Sequence, residues 1–134
     1  MKDGVVLGAT ILLLLLTTSC ERKTDSSSPT RVEAPSQEQL VALVQCLTAQ
    51  GFVMYGSITC SACRAQRKAF GPAFAHITEV ECNPHAANTQ ADRCVQRKIQ
   101  TTPTWIAEKN GEEIKRLEGY QLLEDLASFA GCAL

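Results

Sequence analysis

Cys60-Ser-Ala-Cys63 sets two thiols three positions apart, after the apolar run Phe52-Val-Met-Tyr55 and the four residues that follow it, and directly before a basic, helix-like segment. Three chemistries use this spacing: a dithiol that opens and closes as a disulfide, half of a zinc site, or a plain structural bridge. A structural zinc ion takes four ligands. The chain offers no second Cys-x-x-Cys and no paired histidine, and His76 and His85 read as surface or loop residues, so no metal site is expected. A strand-to-helix junction favours exchange chemistry instead. A sulfur at the helix N-cap faces unsatisfied backbone N–H groups and the positive end of the helix dipole, and both stabilise a thiolate. Cys60 stands at that position and is expected to attack. Cys63, one turn further in and better shielded, is expected to resolve.

The activation this geometry can supply is bounded. Lowering a thiol from a pKa of about 8.5 to about 7 takes roughly 2 kcal/mol, and reaching about 3.5 takes about 7 kcal/mol. A helix terminus contributes about 0.3–1 kcal/mol and at most about 2. Ser61-Ala62 adds no cation between the cysteines, so Cys60 is expected to be mildly activated. Arg64, Arg67 and Lys68 form a basic face that reads as solvated. It can bias Cys60 only if a side chain folds back toward the helix start.

The elements that position this pair follow from periodicity. Ser36-Gln-Glu-Gln39 has capping-box form, and Leu40, Val41, Leu43, Val44 and Leu47 recur at helical spacing, which predicts a helix over residues 37–50 closed by Gly51. Phe52–Tyr55 reads as a strand, and residues 61–70 as a helix interrupted by Gly71-Pro72. Ile77–Cys82 alternates like a strand, Asn83-Pro84-His85 breaks it, and residues 89–98 can form a helix with Asp92 in its first turn. Thr104–Ala107 and Glu113–Leu117 flank Lys109-Asn-Gly-Glu112, where Asn-Gly is the favoured tight-hairpin signal. A last helix over residues 122–130 stops at Gly131. Trp105 reads as a core residue. The predicted order is α-β-α-β-α-β-β-α, without internal repeats.

The chain has 134 residues, 45% of them hydrophobic, with a formal charge of −1, which fits one domain and gives no electrostatic reason to expect nucleic-acid binding. Seven cysteines are unusual for a reducing cytosol. Val5–Leu16 is apolar but too short to span a membrane, which needs about 20 such residues, and it suits a signal-peptide core of about 7–15. Leu16-Thr-Thr-Ser-Cys20 then resembles the lipobox of bacterial lipoproteins, with Thr17 where leucine is usual. That resemblance implies a signal peptide over residues 1–19 and lipid on Cys20 as the new N-terminus. Six cysteines would remain, an even number that suits a disulfide-forming compartment. Residues 20–36, rich in Ser, Thr, Pro and charge, read as a tether with a reach on the order of 20 Å, leaving residues 37–134 as the folded domain.

The βαβ…ββα order, Cys60-Ser-Ala-Cys63 and Thr102-Pro103 resemble the thioredoxin fold: an α/β protein of three α/β/α layers around a mixed four-stranded sheet, here with an extra N-terminal helix. The resemblance implies that Pro103 is cis and lies against the Cys60–Cys63 pair, with the Thr102 backbone pairing to a substrate polypeptide. Over residues 40–132 the chain is similar, more closely, to the thioredoxin-like domain associated with bacterial vitamin K epoxide reductase homologues. The shared features are Met54-Tyr-Gly56, the Cys-x-x-Cys, Phe70-Gly71, Val80-Glu-Cys82, a cysteine near Cys94, and Pro103-Thr-Trp105. It departs from them at Thr59, which replaces an aromatic, and at Ser61-Ala62. Met54 also stands where thioredoxin has a buried acid.

In those relatives the pair corresponding to Cys82 and Cys94 is a structural disulfide, which the resemblance carries over here. Cys46 and Cys132 are then left to pair by elimination. The expectation is a monomeric thiol-disulfide oxidoreductase on the periplasmic side of a bacterial envelope, anchored by lipid. It needs no cofactor beyond its redox-active disulfide. Its substrates are expected to be thiols or disulfides of exported polypeptides, with a separate membrane redox partner of the vitamin K epoxide reductase type. The rival from another class is a non-enzymatic binding or assembly module whose dithiol holds a metal such as Cu(I) or merely staples the fold.

Overall fold

The computed structural model describes residues 34–134. The expected signal peptide, Cys20 and the tether up to residue 33 lie outside the described residues. Helix α1 (Gln37–Ala49) opens with a reciprocal capping box: Ser36 Oγ accepts the Gln39 N–H at 3.2 Å, and Gln39 Oε1 accepts the Ser36 N–H at 2.9 Å. The chain continues through β1 (Phe52–Gly56), α2 (Ser61–Phe70), a 3₁₀ helix (Gly71–His76), β2 (Thr78–Glu81), α3 (Ala91–Gln96), β3 (Thr104–Lys109), β4 (Glu112–Glu118) and α4 (Leu123–Ala130). The 3₁₀ helix fills the interruption expected at Gly71-Pro72.

The sheet order is β2-β1-β3-β4, with β1 parallel to β2 and antiparallel to β3, and β3 antiparallel to β4. Asn110 and Gly111 both take positive φ, 55° and 80°, as the tight β3–β4 turn requires. The central strand β1 is buried on both faces, so its residues read as a continuous apolar run. On one face Phe52 and Met54 pack with Trp105 against α1, α2 and α4 through Leu43, Phe70 and Leu126. On the other, Val53, Tyr55, Val80 and Ile106 meet α3 through Cys94. These three layers make the thioredoxin-like fold expected from the sequence, with α1 as the added helix.

Helix α3 is shorter than the expected span of residues 89–98. Thr89 Oγ1 accepts the Ala91 N–H at 3.2 Å outside the helix, and Lys98 adopts φ 53°, which ends it. Cys94 is its one buried residue. A helix so short and so poorly buried is marginal by itself. Covalent and ionic ties hold it instead: the Cys82–Cys94 disulfide, Arg93 Nη2 to Glu108 Oε2 at 2.9 Å, and Arg97 Nε to Glu108 Oε1 at 3.2 Å. Glu108 also accepts the Tyr55 hydroxyl. Burial raises the Glu108 carboxyl, but the hydrogen bonds of Tyr55 and Arg93 and the charges of both arginines outweigh it and hold the carboxyl below its usual range.

A second disulfide joins Cys46 on α1 to Cys132, two positions beyond the end of α4, with Cα atoms 5.9 Å apart. The Cys132 N–H donates to Ala127 O at 2.8 Å, which turns the chain back toward α1. Among the described residues no helix is long and apolar enough to cross a membrane.

Candidate functional site

β1 ends at Gly56, and the loop Ser57–Thr59 carries the chain into α2. Three sets of hydrogen bonds shape this loop. Within it, Ser57 Oγ accepts the Thr59 N–H at 3.2 Å and lies 2.9 Å from Thr59 Oγ1, while Ser57 O accepts the Cys60 N–H at 3.2 Å. From α2, Arg64 folds back and donates to Ile58 O at 3.4 Å and Thr59 O at 3.2 Å. From β2, Glu81 Oε2 accepts the Ile58 N–H at 2.9 Å. The loop delivers Cys60 to the N-cap of α2, where its sulfur accepts the Cys63 N–H at 3.2 Å in the way an N-cap oxygen would.

Cys60 is half-buried and Cys63 fully buried, and both are free thiols. Gly56 lies directly behind Cys63. A Cβ at Gly56 would stand 3.5 Å from Cys63 Sγ, 3.1 Å from Met54 Cε and only 2.6 Å from Glu79 Oε1. The glycine therefore lets Cys63 and the Arg67–Glu79 ion pair approach the strand closely.

The second wall of the site is the Thr102–Pro103 bond, which is cis. The Cys60 thiol donates to Thr102 O at 3.2 Å. Thr102 lies outside the strand ladder, which begins at Thr104. Its position relative to α2 is fixed through a chain of contacts. The Gly119 N–H donates to Pro103 O at 2.7 Å, and the buried Gln66 of α2 grips Gln121 on both sides, donating to its carbonyl at 3.1 Å and accepting its N–H at 2.8 Å. The helix that carries both cysteines and the loop that faces them are thus tied through the segment after β4.

Their electrostatics differ in direction. Burial pushes the Cys60 thiol up. The hydrogen bonds from the Cys63 thiol, the Thr102 side chain and the backbone N–H groups of Cys63 and Ala62 more than offset it, and Cys60 titrates below its ordinary value. Burial first, and its hydrogen bond to Cys60 second, push Cys63 up to about 11. Cys63 thus stays protonated and lends its proton to the Cys60 thiolate.

This asymmetry sets the alkaline stability of the dithiol form. Cys63 ionises at the ordinary thiol value when unfolded and near 11 when folded, so between those values the unfolded chain binds fewer protons and stability falls as pH rises. Two pKa units correspond to on the order of 2–3 kcal/mol. Cys60 acts with the opposite sign: its contribution is present above its unfolded pKa and is lost as pH falls through the lowered folded value. Thermal melts of the reduced and oxidised protein from pH 8 to 11 are expected to show the reduced form losing stability relative to the oxidised one above about pH 9. Groups common to both forms cancel in that difference.

The structure brings Cys60, Cys63, Thr102 and Pro103 together. It places Cys82–Cys94 and Cys46–Cys132 as bridges apart from the free pair. The basic face is not simply solvated as expected: Arg67 pairs with Glu79, and Arg64 turns back to the loop before Cys60. Arg64 meets carbonyl oxygens there, and hydrogen bonds lead in lowering Cys60. His76 and His85 are exposed, and Trp105 is fully buried. Among the described residues no group of three or more His, Cys, Asp and Glu side chains is placed to hold a metal ion. From the sequence, Glu81 and Gly56 carried no role at the site, and Arg64 only the conditional one of folding back toward the helix start. Arg64 carried a usable signal, since it lies four residues after the N-cap and so above the start of its own helix.

Neither a family model nor a curated protein matches the chain. Among solved structures, the chain is similar to a thioredoxin of Fasciola hepatica, at 16% identity over 66% of this chain and 88% of that one, with a TM-score of 0.46. It is also similar to thioredoxin NaTrxh from Nicotiana alata, at 13% identity over 72% and 85% of the two chains, TM-score 0.46. A thioredoxin from Trypanosoma brucei brucei matches at 15% identity over 75% and 96%, TM-score 0.42.

Proposed function

We propose that this protein is a thiol-disulfide oxidoreductase that exchanges disulfides with exported polypeptides through Cys60 and Cys63. The observation that carries this reading is the asymmetry of the pair. A half-exposed sulfur at a helix N-terminus, with a lowered pKa, is hydrogen-bonded by a fully buried thiol whose pKa is pushed up to about 11. A metal-binding dithiol has no use for that difference, whereas exchange needs one sulfur that attacks and one that waits.

In the reductive direction the Cys60 thiolate attacks a substrate disulfide. The Cys60–substrate bond forms, the substrate S–S bond breaks, and a substrate thiolate leaves. Cys63 then loses its proton and attacks Cys60 Sγ. The second substrate sulfur leaves with a proton, and two electrons have passed to the substrate. The reverse sequence oxidises a substrate dithiol, and the difference in reduction potential between the partners sets the direction. Thr102, outside the ladder and beside Cys60, is the proposed backbone partner for an extended substrate segment.

The cellular setting belongs to the same proposal. Cys20 carries lipid, the protein faces the periplasm of a bacterial cell as a monomer, and a separate membrane protein of the vitamin K epoxide reductase type exchanges electrons with it. Two structural bridges alongside a free pair support an oxidising compartment. Turnover tests the reading: catalytic protein incubated with a disulfide-linked peptide and a thiol reductant is expected to give many cleaved peptides per molecule. Stoichiometric Cu(I) uptake without turnover would overturn it in favour of the binding module.

A further inference from the structure

Glu81 is buried, with 3% of its surface exposed, and the exchange mechanism does not use it. It pairs in register with Gly56 across the β1–β2 ladder, at the strand ends nearest Cys60. Each carboxylate oxygen accepts one backbone amide: Oε2 takes Ile58 N–H at 2.9 Å, and Oε1 takes Asn83 N–H at 2.8 Å. A carboxylate placed out of water is expensive unless its lone pairs are met, and hydrogen bonds from amides to an ionised acceptor are among the stronger ones. The Arg67 guanidinium lies close enough to feel its charge.

We propose that Glu81 is a positioning residue for Cys60, acting as a clamp that fastens the loop before the nucleophile to the edge strand. Ile58 is the point of attachment. Its N–H is held by Glu81 and its C=O by Arg64, while its side chain stays 54% exposed. Arg64 is itself exposed, and the Ser57–Thr59 bonds are internal to the loop, so Glu81 is the side chain that ties Ile58 to the sheet. What it fixes reaches Cys60 directly. Ser57 O accepts the Cys60 N–H at 3.2 Å. The other arm ends at Asn83, next to Cys82, whose N–H donates to Gly56 O at 2.8 Å. One carboxylate thus bridges the loop before Cys60 and the segment pinned by Cys82–Cys94.

This inference rests on Cys60 being the exchanging sulfur, and its test reads the clamp without turnover. In the reduced full chain, the thiolate absorbance of Cys60 is titrated in wild type, Glu81→Gln, Glu81→Ala and, as a destabilised control far along α1, Leu47→Ala. Loosening the loop weakens the N-cap hydrogen bonds to the thiolate. The Cys60 midpoint is expected to rise by about 0.5 pH unit or more in both Glu81 variants, about threefold in the ionisation equilibrium. In Leu47→Ala it should stay in place although the protein melts lower. A Glu81→Gln midpoint that is unchanged, or that falls as removal of a nearby negative charge alone would make it, overturns the proposal. Amide hydrogen exchange in the wild type is the second measurement and needs no variant to fold. The Ile58 N–H is expected to be protected about tenfold or more relative to an open loop. Exchange at the open-loop rate would overturn the clamp. Failure of the functional reading would show separately, as the absence of a mixed disulfide at Cys60.

Discussion

Cys63→Ser is expected to stop the reaction halfway, with substrate held covalently on Cys60, while Cys60→Ser is expected to abolish exchange by on the order of 10³-fold or more. The two effects differ because the two sulfurs differ. Cys60 is half-exposed with a lowered pKa, so its removal leaves no reachable thiolate; Cys63 is fully buried and stays protonated near neutral pH. A serine at position 63 keeps a hydroxyl that can donate to the Cys60 sulfur, so the first attack should lose less than the full worth of one hydrogen bond to a charged acceptor, which is about 1.5–3 kcal/mol or on the order of 10–100-fold. Resolution, however, loses its nucleophile. Non-reducing mass spectrometry of Cys63→Ser after incubation with a disulfide peptide should give one peptide per protein, mapped to Cys60. A peptide mapped to Cys82 or Cys94 would sink the assignment of roles.

Removing the Cys46–Cys132 bridge is expected to have the largest effect on stability. The bridge closes a sequence separation of 86 residues, against 12 for Cys82–Cys94. Loop-closure entropy gives about 4.5 kcal/mol for the longer bridge and about 3 kcal/mol for the shorter. For a domain of this size each kcal/mol moves the midpoint by about 4–8 °C, so Cys46→Ala/Cys132→Ala should melt roughly 20 °C or more below the wild type. Calorimetry checks this, and a loss under about 5 °C would show that the bridge does little to restrict the unfolded chain. Peptide exchange by the remaining folded protein should persist, since neither residue touches the Cys60 loop.

The parts legible in the sequence are those that local chemistry decides. The capping box at Ser36 and Gln39, the Asn110-Gly111 turn and the strand-to-helix step at Cys60 are each short signals with one geometric solution. The cis Thr102–Pro103 bond was legible only through the fold resemblance, because an isolated X-Pro bond is cis in only about 5–6% of cases. The length of α3 was not legible. Its end is set by Lys98 in a left-handed conformation and its attachment by Glu108, which belongs to a distant strand. Glu81 escaped notice for a related reason. A glutamate in an alternating strand reads as solvent-facing, and only the meeting of two loops supplies the amides that make its burial tolerable.

The complete enclosure of Cys63 has a kinetic consequence for the proposed cycle. A dissolved thiol or disulfide can collide with Cys60 but not with its neighbour, so capture is second-order and release is first-order. Once substrate is bound through sulfur, its lifetime no longer depends on how much substrate surrounds the protein. A clock internal to the first turn of α2 sets it: how readily the Cys63 thiol, which burial holds in its protonated form, gives up its proton. Raising the pH should therefore shorten the life of the intermediate even where the capture rate has already levelled off.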